Sequence, residues 1–484
     1  MTAPLQEFED EVVEDPTGRT PLVIKLLVAA TFVVILNETI MINAIPRLMA
    51  DFDIDERSAQ WLSTVFMLTM AAVIPLTGWF LQRVPTRTAY TVAMATFCVG
   101  TALAAVAPSF EVLLGARVVQ AGGTAVMMPL LMTTLMTVVA ESDRGRVMGQ
   151  VTLAISVAPA LGPAVSGVIL ELGSWRLIFA FVLPVAALVA VFGLRQLENV
   201  GEAQVSSVSW LSVVLAAGGF STLVYGLSEI GNGSTGTVTA FIVVGAVLVV
   251  AFAAYQLKLQ RSDAPLLDLR TLKHRTYTVS LLLMSAAFMA FLGSMILLPL
   301  YLQNIRDLTE LQTGLLVMPG GLAMGLLGPQ VGKLYDRFGS RPLVIPGSIG
   351  MVVALGVLSR VDLDTPYALI LGFHVLLMAC LAAIFTPVFT MGLGDLPMNL
   401  YSHGSSLLGT LQQVAGAIGT ALLIVVLQNR SEDLAAGGSS PAEAFVGGLQ
   451  WAFVVGAVIG VVVIVLALML PSRVESPEGA PVGH

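Results

Sequence analysis

The sequence predicts an all-α membrane protein of fourteen spanning helices, on three observations. Of 484 residues, 56% are hydrophobic and only 11% are charged, against roughly 25% charged in an average soluble domain. A soluble fold of this length has no interior that could take up so much apolar surface. The apolar residues also come in continuous runs of about 20, enough to cross about 30 Å of hydrocarbon at about 1.5 Å per residue. Strands of a membrane barrel would instead alternate over about ten residues. This balance excludes soluble enzymes, nucleic-acid binders and secreted disulfide scaffolds. Cys98 and Cys380 sit inside apolar runs and read as small core residues. No metal-ligand spacing is present, so neither metal nor cofactor is expected.

The runs fall at 22–46, 59–81, 88–107, 111–138, 147–170, 177–195, 208–228, 238–258, 276–303, 311–331, 342–360, 366–392, 405–428 and 446–470. An even number of crossings places both ends on one side. Sixteen of the 23 basic residues fall in loops on that side, six on the other, and Arg117 lies within a span. The positive-inside rule therefore makes both termini cytoplasmic. The tail 1–21 is acidic (Glu7, Glu9, Asp10, Glu11, Glu14, Asp15) and contributes much of the net charge of −8. That is the reverse of a signal-peptide start, so the tail is expected to be disordered and uncleaved. Nineteen arginines against four lysines suggest GC-rich coding and a high-GC bacterium, and the expected location is its inner membrane.

A loop with glycine and arginine follows the second span (Gly78 to Arg87) and recurs after the tenth (Gly332 to Arg341). The repeat divides the chain into six-helix halves, 22–195 and 276–470, with a helix pair, 208–258, inserted between them. Parallel repeats of this kind are one plan for secondary transporters. The basic connection 259–275 reads as a topology anchor or as a segment lying on anionic lipid. Residues 471–484 form a second cytoplasmic tail.

Charges inside spans cost a few kcal/mol each even on insertion scales, so they mark function or a structural pair. Glu38 is about 20 Å from the inner end of the first span, and Arg117 about 10 Å from the outer end of the fourth. In a core of about 30 Å these depths coincide, so the two can form a pair across a cavity. Polar neighbours Asn37, Asn43 and Gln120 suggest that the cavity is wet, and Met41 and Gln412 are further lining candidates. His374 in the twelfth span has two readings, a hydrogen-bonded packing residue or a cavity group. Met127, Met128, Met132 and Met136 suit a pocket that accepts many shapes, or serve as lipid-facing filler. In the fifth span Ala158, Gly162 and Ser166 recur every four residues on one face, and Pro159 and Pro163 bend the helix.

These residues in this order resemble the major facilitator superfamily, in its fourteen-span drug:proton antiporter branch (EmrB/QacA-like exporters). Leu36 to Pro46 resembles the first-helix signature LDxTIVNVALP. Arg117 to Ala125 resembles RxxQGxGgA, and Ala158 to Gly167 resembles the antiporter motif gxxxGPxxGG, including Gly162, Pro163 and Gly167. Ser174-Trp175-Arg176 follows as in the family, and so do second-half stretches such as Ala264 to Arg270 and Gly314 to Pro319. Gly332-Lys-Leu-Tyr-Asp336-Arg337-Phe-Gly339-Ser-Arg341 resembles the loop motif GxLaDrxGrr. The resemblance covers about 20–470. It implies a major facilitator fold, with no ATP and no nucleic acid as partner, that exports amphipathic, cationic drugs against protons by alternating access.

Two departures stand out. The first-helix acid is Asn37 here, with Glu38 one residue on, which rotates the side chain by about 100°. The first-half loop, Gly78 to Arg87, lacks the acid that Asp336 supplies in the second. Glu38 is the one acid placed near the middle of a first-half span, which makes it the expected proton carrier with Arg117 as its coupling partner. Asp336, opposite nearby arginines, is expected to stabilise one gating state by charge-assisted hydrogen bonds. The rivals are a facilitator of a metabolite, siderophore or lipid precursor, an uptake symporter, a membrane-embedded enzyme and a non-transporting sensor. No HExxH, nucleophile elbow or Walker motif supports an enzyme or ATPase.

Overall fold

The computed structural model describes residues 20–199, 208–231, 233–262 and 265–473. The acidic tail up to residue 19 and the C-terminal tail from residue 474 lie outside the described residues. The first six crossings use α1 (Leu22–Ile40), α2 (Ile45–Phe52), α3 (Glu56–Arg83), α4 (Thr86–Ala105), α5 (Phe110–Val138), α6 (Arg144–Glu171) and α7 (Arg176–Gln196). The inserted pair is α8 (Trp210–Ser228) and α9 (Thr235–Leu259). The rest are α10 (Arg275–Asn304), α11 (Glu310–Phe338), α12 (Arg341–Leu358), α13 (Tyr367–Gly394), α14 (Tyr401–Ala436) and α15 (Pro441–Met469). All but α2 are long and apolar enough to span, which gives fourteen, and no strand occurs among the described residues.

Local chemistry sets the ends. Asp55 accepts from the Ser58 amide at 2.8 Å to start α3, while Thr309 with Gln312 and Ser440 with Glu443 form capping boxes for α11 and α15. The first span differs from its expected 22–46. The α-helix ends at Ile40, tightens to a 3-10 turn over Met41–Ala44, and resumes as α2 with Pro46 in its first turn, where a missing amide costs little. Conversely, α11 runs to Phe338 rather than 331, and α14 spans 401–436 rather than 405–428. Apolarity marks the hydrocarbon; the backbone ladder continues beyond it into water.

The inserted α8 and α9 pack on each other, and α8 leans on α3. Ser221 Oγ donates to the Leu68 carbonyl at 3.0 Å, and Tyr225 stacks on Trp61 with centroids 5.6 Å apart. Part of the basic connection is packed rather than laid on the surface. Leu266 and Leu267 are buried, and the Gln256 side chain accepts both of their amides.

The two six-helix halves meet through α3, α5 and α6 on one side and α11, α13 and α14 on the other. Thr133 and Ser405 hydroxyls lie 2.9 Å apart, as do those of Thr152 and Thr386, and Ser406 Oγ donates to the Ile74 carbonyl at 2.6 Å. The side-chain hydrogen bonds that join Ile74, Gln82, Pro129, Thr133, Arg144, Gly145, Arg146 and Thr152 to the second half lie in the helix portions toward the chain termini. The molecule is closed on its termini side.

Candidate transport site and the seam that closes it

Asn37 of α1 is completely buried, yet neither atom of its amide has a hydrogen-bond partner. A buried amide left open on both atoms is a position for water or a ligand group. Glu38, one residue on, is half-buried, and Met41 is buried in the 3-10 turn. The side chain of Asn43 lies outside the described residues.

Arg117 of α5 is 1% exposed and close enough to Glu38 for their charges to interact. The expected ion pair is nevertheless absent: within the described residues the two form no contact inside 4.0 Å. The guanidinium is held elsewhere. Its Nη1 donates to Gln120 Oε1 at 2.9 Å, its Nε reaches the Leu62 carbonyl at 3.5 Å, and its carbon lies 4.2 Å from the centre of the Phe66 ring. Gln120 in turn donates to Thr101 Oγ1 at 2.9 Å, and Thr101 donates to the Phe97 carbonyl. This relay crosses α3, α4 and α5 and satisfies a buried cation without a carboxylate.

The glycines of α6 bring the seam to this site. A Cβ on Gly162 would fall 2.8 Å from Thr39 Cβ, so α6 lies directly on the residue after Glu38. Gly167 faces open space apart from Leu311, and the side chain of Pro163 lies outside the described residues. On its other flank α6 runs antiparallel to α11. Gly145 meets Gly332 and Gly149 meets Gly328, backbone against backbone; a Cβ on Gly332 would lie 2.6 Å from the Gly145 carbonyl carbon.

At the end of this contact Asp336 accepts the Gly145 amide at 2.8 Å and the Arg146 amide at 2.7 Å. Its partners are the free amides of the α6 N-terminus, not the arginines expected from sequence. A helix start offers both the donors and the positive end of the dipole. The rest of the motif secures the chain's C-terminal end. Gly339 turns at φ 80°, Ser340 donates its amide to the Ser472 carbonyl at 2.9 Å, and Arg341 Nε donates to Leu470 at 2.8 Å. Arg473 donates to the Arg337 carbonyl at 2.6 Å.

Other candidates lie apart. His374 is buried between α13 and α11, with Nε2 3.2 Å from the Val317 carbonyl and the ring against Gly320. That is the packing arrangement, within the second half. Met127, Met132 and Met136 are buried in protein rather than facing lipid, and Met128 is partly buried against the same core. Gln412 is half-buried on α14. Sequence reasoning passed over His403, which is 3% exposed with Nδ1 unpartnered and sits against Gly78 in the seam between α3 and α14. Its signal was a polar residue at the start of a span opposite a glycine-bearing helix end.

Two six-helix halves, a polar site inside one of them and a closed seam on the termini side define a membrane carrier rather than an enzyme. The chain belongs to the Major Facilitator Superfamily, whose model matches residues 27–420. It is 37% identical to the MFS-type transporter YcnB of Bacillus subtilis over 97% of this chain and 98% of that protein. It is 36% identical to the lincomycin resistance protein LmrB of Listeria monocytogenes, over 93% of this chain and 96% of that one. The human organic anion transporter MFSD10 shares the fold, with a TM-score of 0.66 and 13% identity over 93% of this chain and all of that one.

Proposed function

We propose that this chain is a proton-coupled antiporter of a bacterial cytoplasmic membrane, with both termini inside, that exports amphipathic cationic drugs by alternating access. The observation that carries the reading is the half-buried Glu38 beside a guanidinium already held by Gln120, Leu62 and Phe66. A carboxylate locked in an ion pair could not trade its partner. Glu38 is free to take either a proton or the cationic group of a drug, and the two then compete by linkage. Binding at Glu38 is transmitted to α6 through Thr39 and Gly162, and α6 is the helix on which the closed seam is built.

The resistance relative makes lincomycin, which carries a basic amine, the first cargo to try. Expression in a pump-deficient host should raise tolerance to lincomycin and to cationic dyes, and a protonophore should abolish the gain. Tolerance that survives collapse of the proton gradient would remove proton coupling from the reading. A second reading, a facilitator of an uncharged polar cargo, draws on the open Asn37 amide at the place of the branch's acid. It expects Asn37→Leu, not Glu38→Gln, to be the variant that stops transport.

A further inference from the structure

One cavity of the structure lies away from the contact between the halves. It is a groove of about 380 Å³ on the outer flank of the first half, among α1, α6 and α7. Its two ends differ in chemistry. At the termini side stand Lys25 of α1 and Gln150 of α6; deeper in, the walls are Phe32, Leu36, Phe181 and Val185 with other apolar side chains. Phe181 and Val185 are 49% and 40% exposed, so the groove opens sideways toward the bilayer.

The polar end is built to donate. Thr20 Oγ1 donates to Gln150 Oε1 at 2.9 Å, which fixes the amide with its nitrogen still available. Lys25 is exposed and enters no ion pair among the described residues. From Lys25 to Leu36 the helix rises about 16 Å, roughly half the hydrocarbon thickness and so about one leaflet. A cation and an amide donor at the interface, above an apolar trough one leaflet deep, match one kind of occupant. A cationic drug would be repelled by Lys25, and a neutral lipid would gain nothing from it.

We propose that this groove is a binding site for an anionic phospholipid of the termini-side leaflet, with its phosphate at Lys25 and Gln150 and one acyl chain along Phe32, Leu36, Phe181 and Val185. The lipid would wedge between α1, which carries Glu38, and α6, which carries the seam. One lysine at an anionic surface gives roughly a fivefold preference over a zwitterionic headgroup.

The test is lipid quenching in reconstituted vesicles. Bimane is attached to Val185→Cys in a Cys98→Ala, Cys380→Ala background. Brominated phosphatidylglycerol and brominated phosphatidylcholine are then compared at equal mole fraction in phosphatidylcholine vesicles. Phosphatidylglycerol should quench about fivefold more effectively, and Lys25→Gln should bring the two lipids level. A control probe at Val247→Cys, 61% exposed on α9, should see no preference. Equal quenching at 185, a preference that survives Lys25→Gln, or the same preference at 247 would each overturn the site.

Discussion

The two seams that close the termini side are built on the same plan with different chemistry. In each, a helix ending on that side meets one beginning there, α11 with α6 and α3 with α14. On the α11 side glycine faces glycine, and four residues after Gly332 comes Asp336, which takes two amides of the α6 start. On the α3 side Gly78 faces the larger His403, and four residues on stands Gln82, whose amide donates a single bond to the Asn399 carbonyl at 2.8 Å. Around it the Trp79 indole nitrogen, Arg83 Nη1 and His403 Nδ1 are buried without partners. One seam is a satisfied, charge-assisted clasp; the other leaves polar groups that water would satisfy on opening. The inserted pair packs on the same two helices farther from the termini side, with α8 bonded to Leu68 of α3 and Gly231 set against Gln428 of α14. The extra helices thus lean on the two helices whose termini-side seam lacks the acid.

The largest expected effect breaks the strong seam outright. Gly332→Val drives a branched side chain into the Gly145 carbonyl, and transport per folded molecule should be lost. Gly78→Ala meets the His403 ring at 2.9 Å and the His403 Cα only at 3.2 Å, and should cost less, because its nearest contact is a side chain that can move. Equal damage from both would erase the distinction.

Next comes the clasp itself. Asp336→Asn removes the charge and one of two acceptors, and hydrogen bonds to charged groups are worth about 1.5–3 kcal/mol each. Turnover should fall about tenfold or more while drug affinity changes little, as measured by initial rates against drug concentration. Unchanged kinetics would reduce the motif to a topology anchor.

A smaller effect sharpens the weak seam. Gln82→Glu sets a carboxylate against the Asn399 carbonyl and should loosen α3 from α14. Labelling of a cysteine placed at Ser406 should then speed up about fivefold, the weight of one ordinary hydrogen bond. No change would mean that Gln82 does not hold this seam.

The smallest effect lies at the opposite end of the molecule. Asp51 accepts from Trp175 Nε1 at 2.8 Å and Arg176 Nη1 at 2.9 Å, and these bonds hold its carboxyl below the usual carboxylate range. A lowered folded value means that the contribution is present above the ordinary range and is lost only as pH falls through the lowered value. Asp51→Asn should therefore lower thermal stability slightly at neutral pH, and the gap to the unsubstituted protein should close in acid. A gap that widens in acid would refute the assignment.

Much of this was legible in the sequence because apolar run length and basic loops report directly on the bilayer. All fourteen spans were visible, and the Gly332 to Arg341 motif was placed correctly in the chain. Its helical state was not, since Lys333, Asp336 and Arg337 lower the local hydropathy without breaking the helix. The proximity of Glu38 and Arg117 followed from depth. The absence of an ion pair did not, because depth says nothing of which of several acceptors a guanidinium chooses. The partner of Asp336 was hidden for a related reason: free amides at a helix start have no letter in the sequence. Gly145, Gly149 and Gly328 went unremarked because glycine is common in membrane helices, and only facing glycines make a seam.

The decisive measurement is drug-induced proton release from inverted vesicles carrying the reconstituted protein, with the unsubstituted chain, Glu38→Gln and Asp336→Asn compared side by side. If Glu38 is the coupling acid, Glu38→Gln releases no protons when a cationic drug is added, while Asp336→Asn releases them slowly with the same number per drug. Proton release by Glu38→Gln at the unsubstituted rate would contradict the coupling assignment and place the exchangeable proton elsewhere.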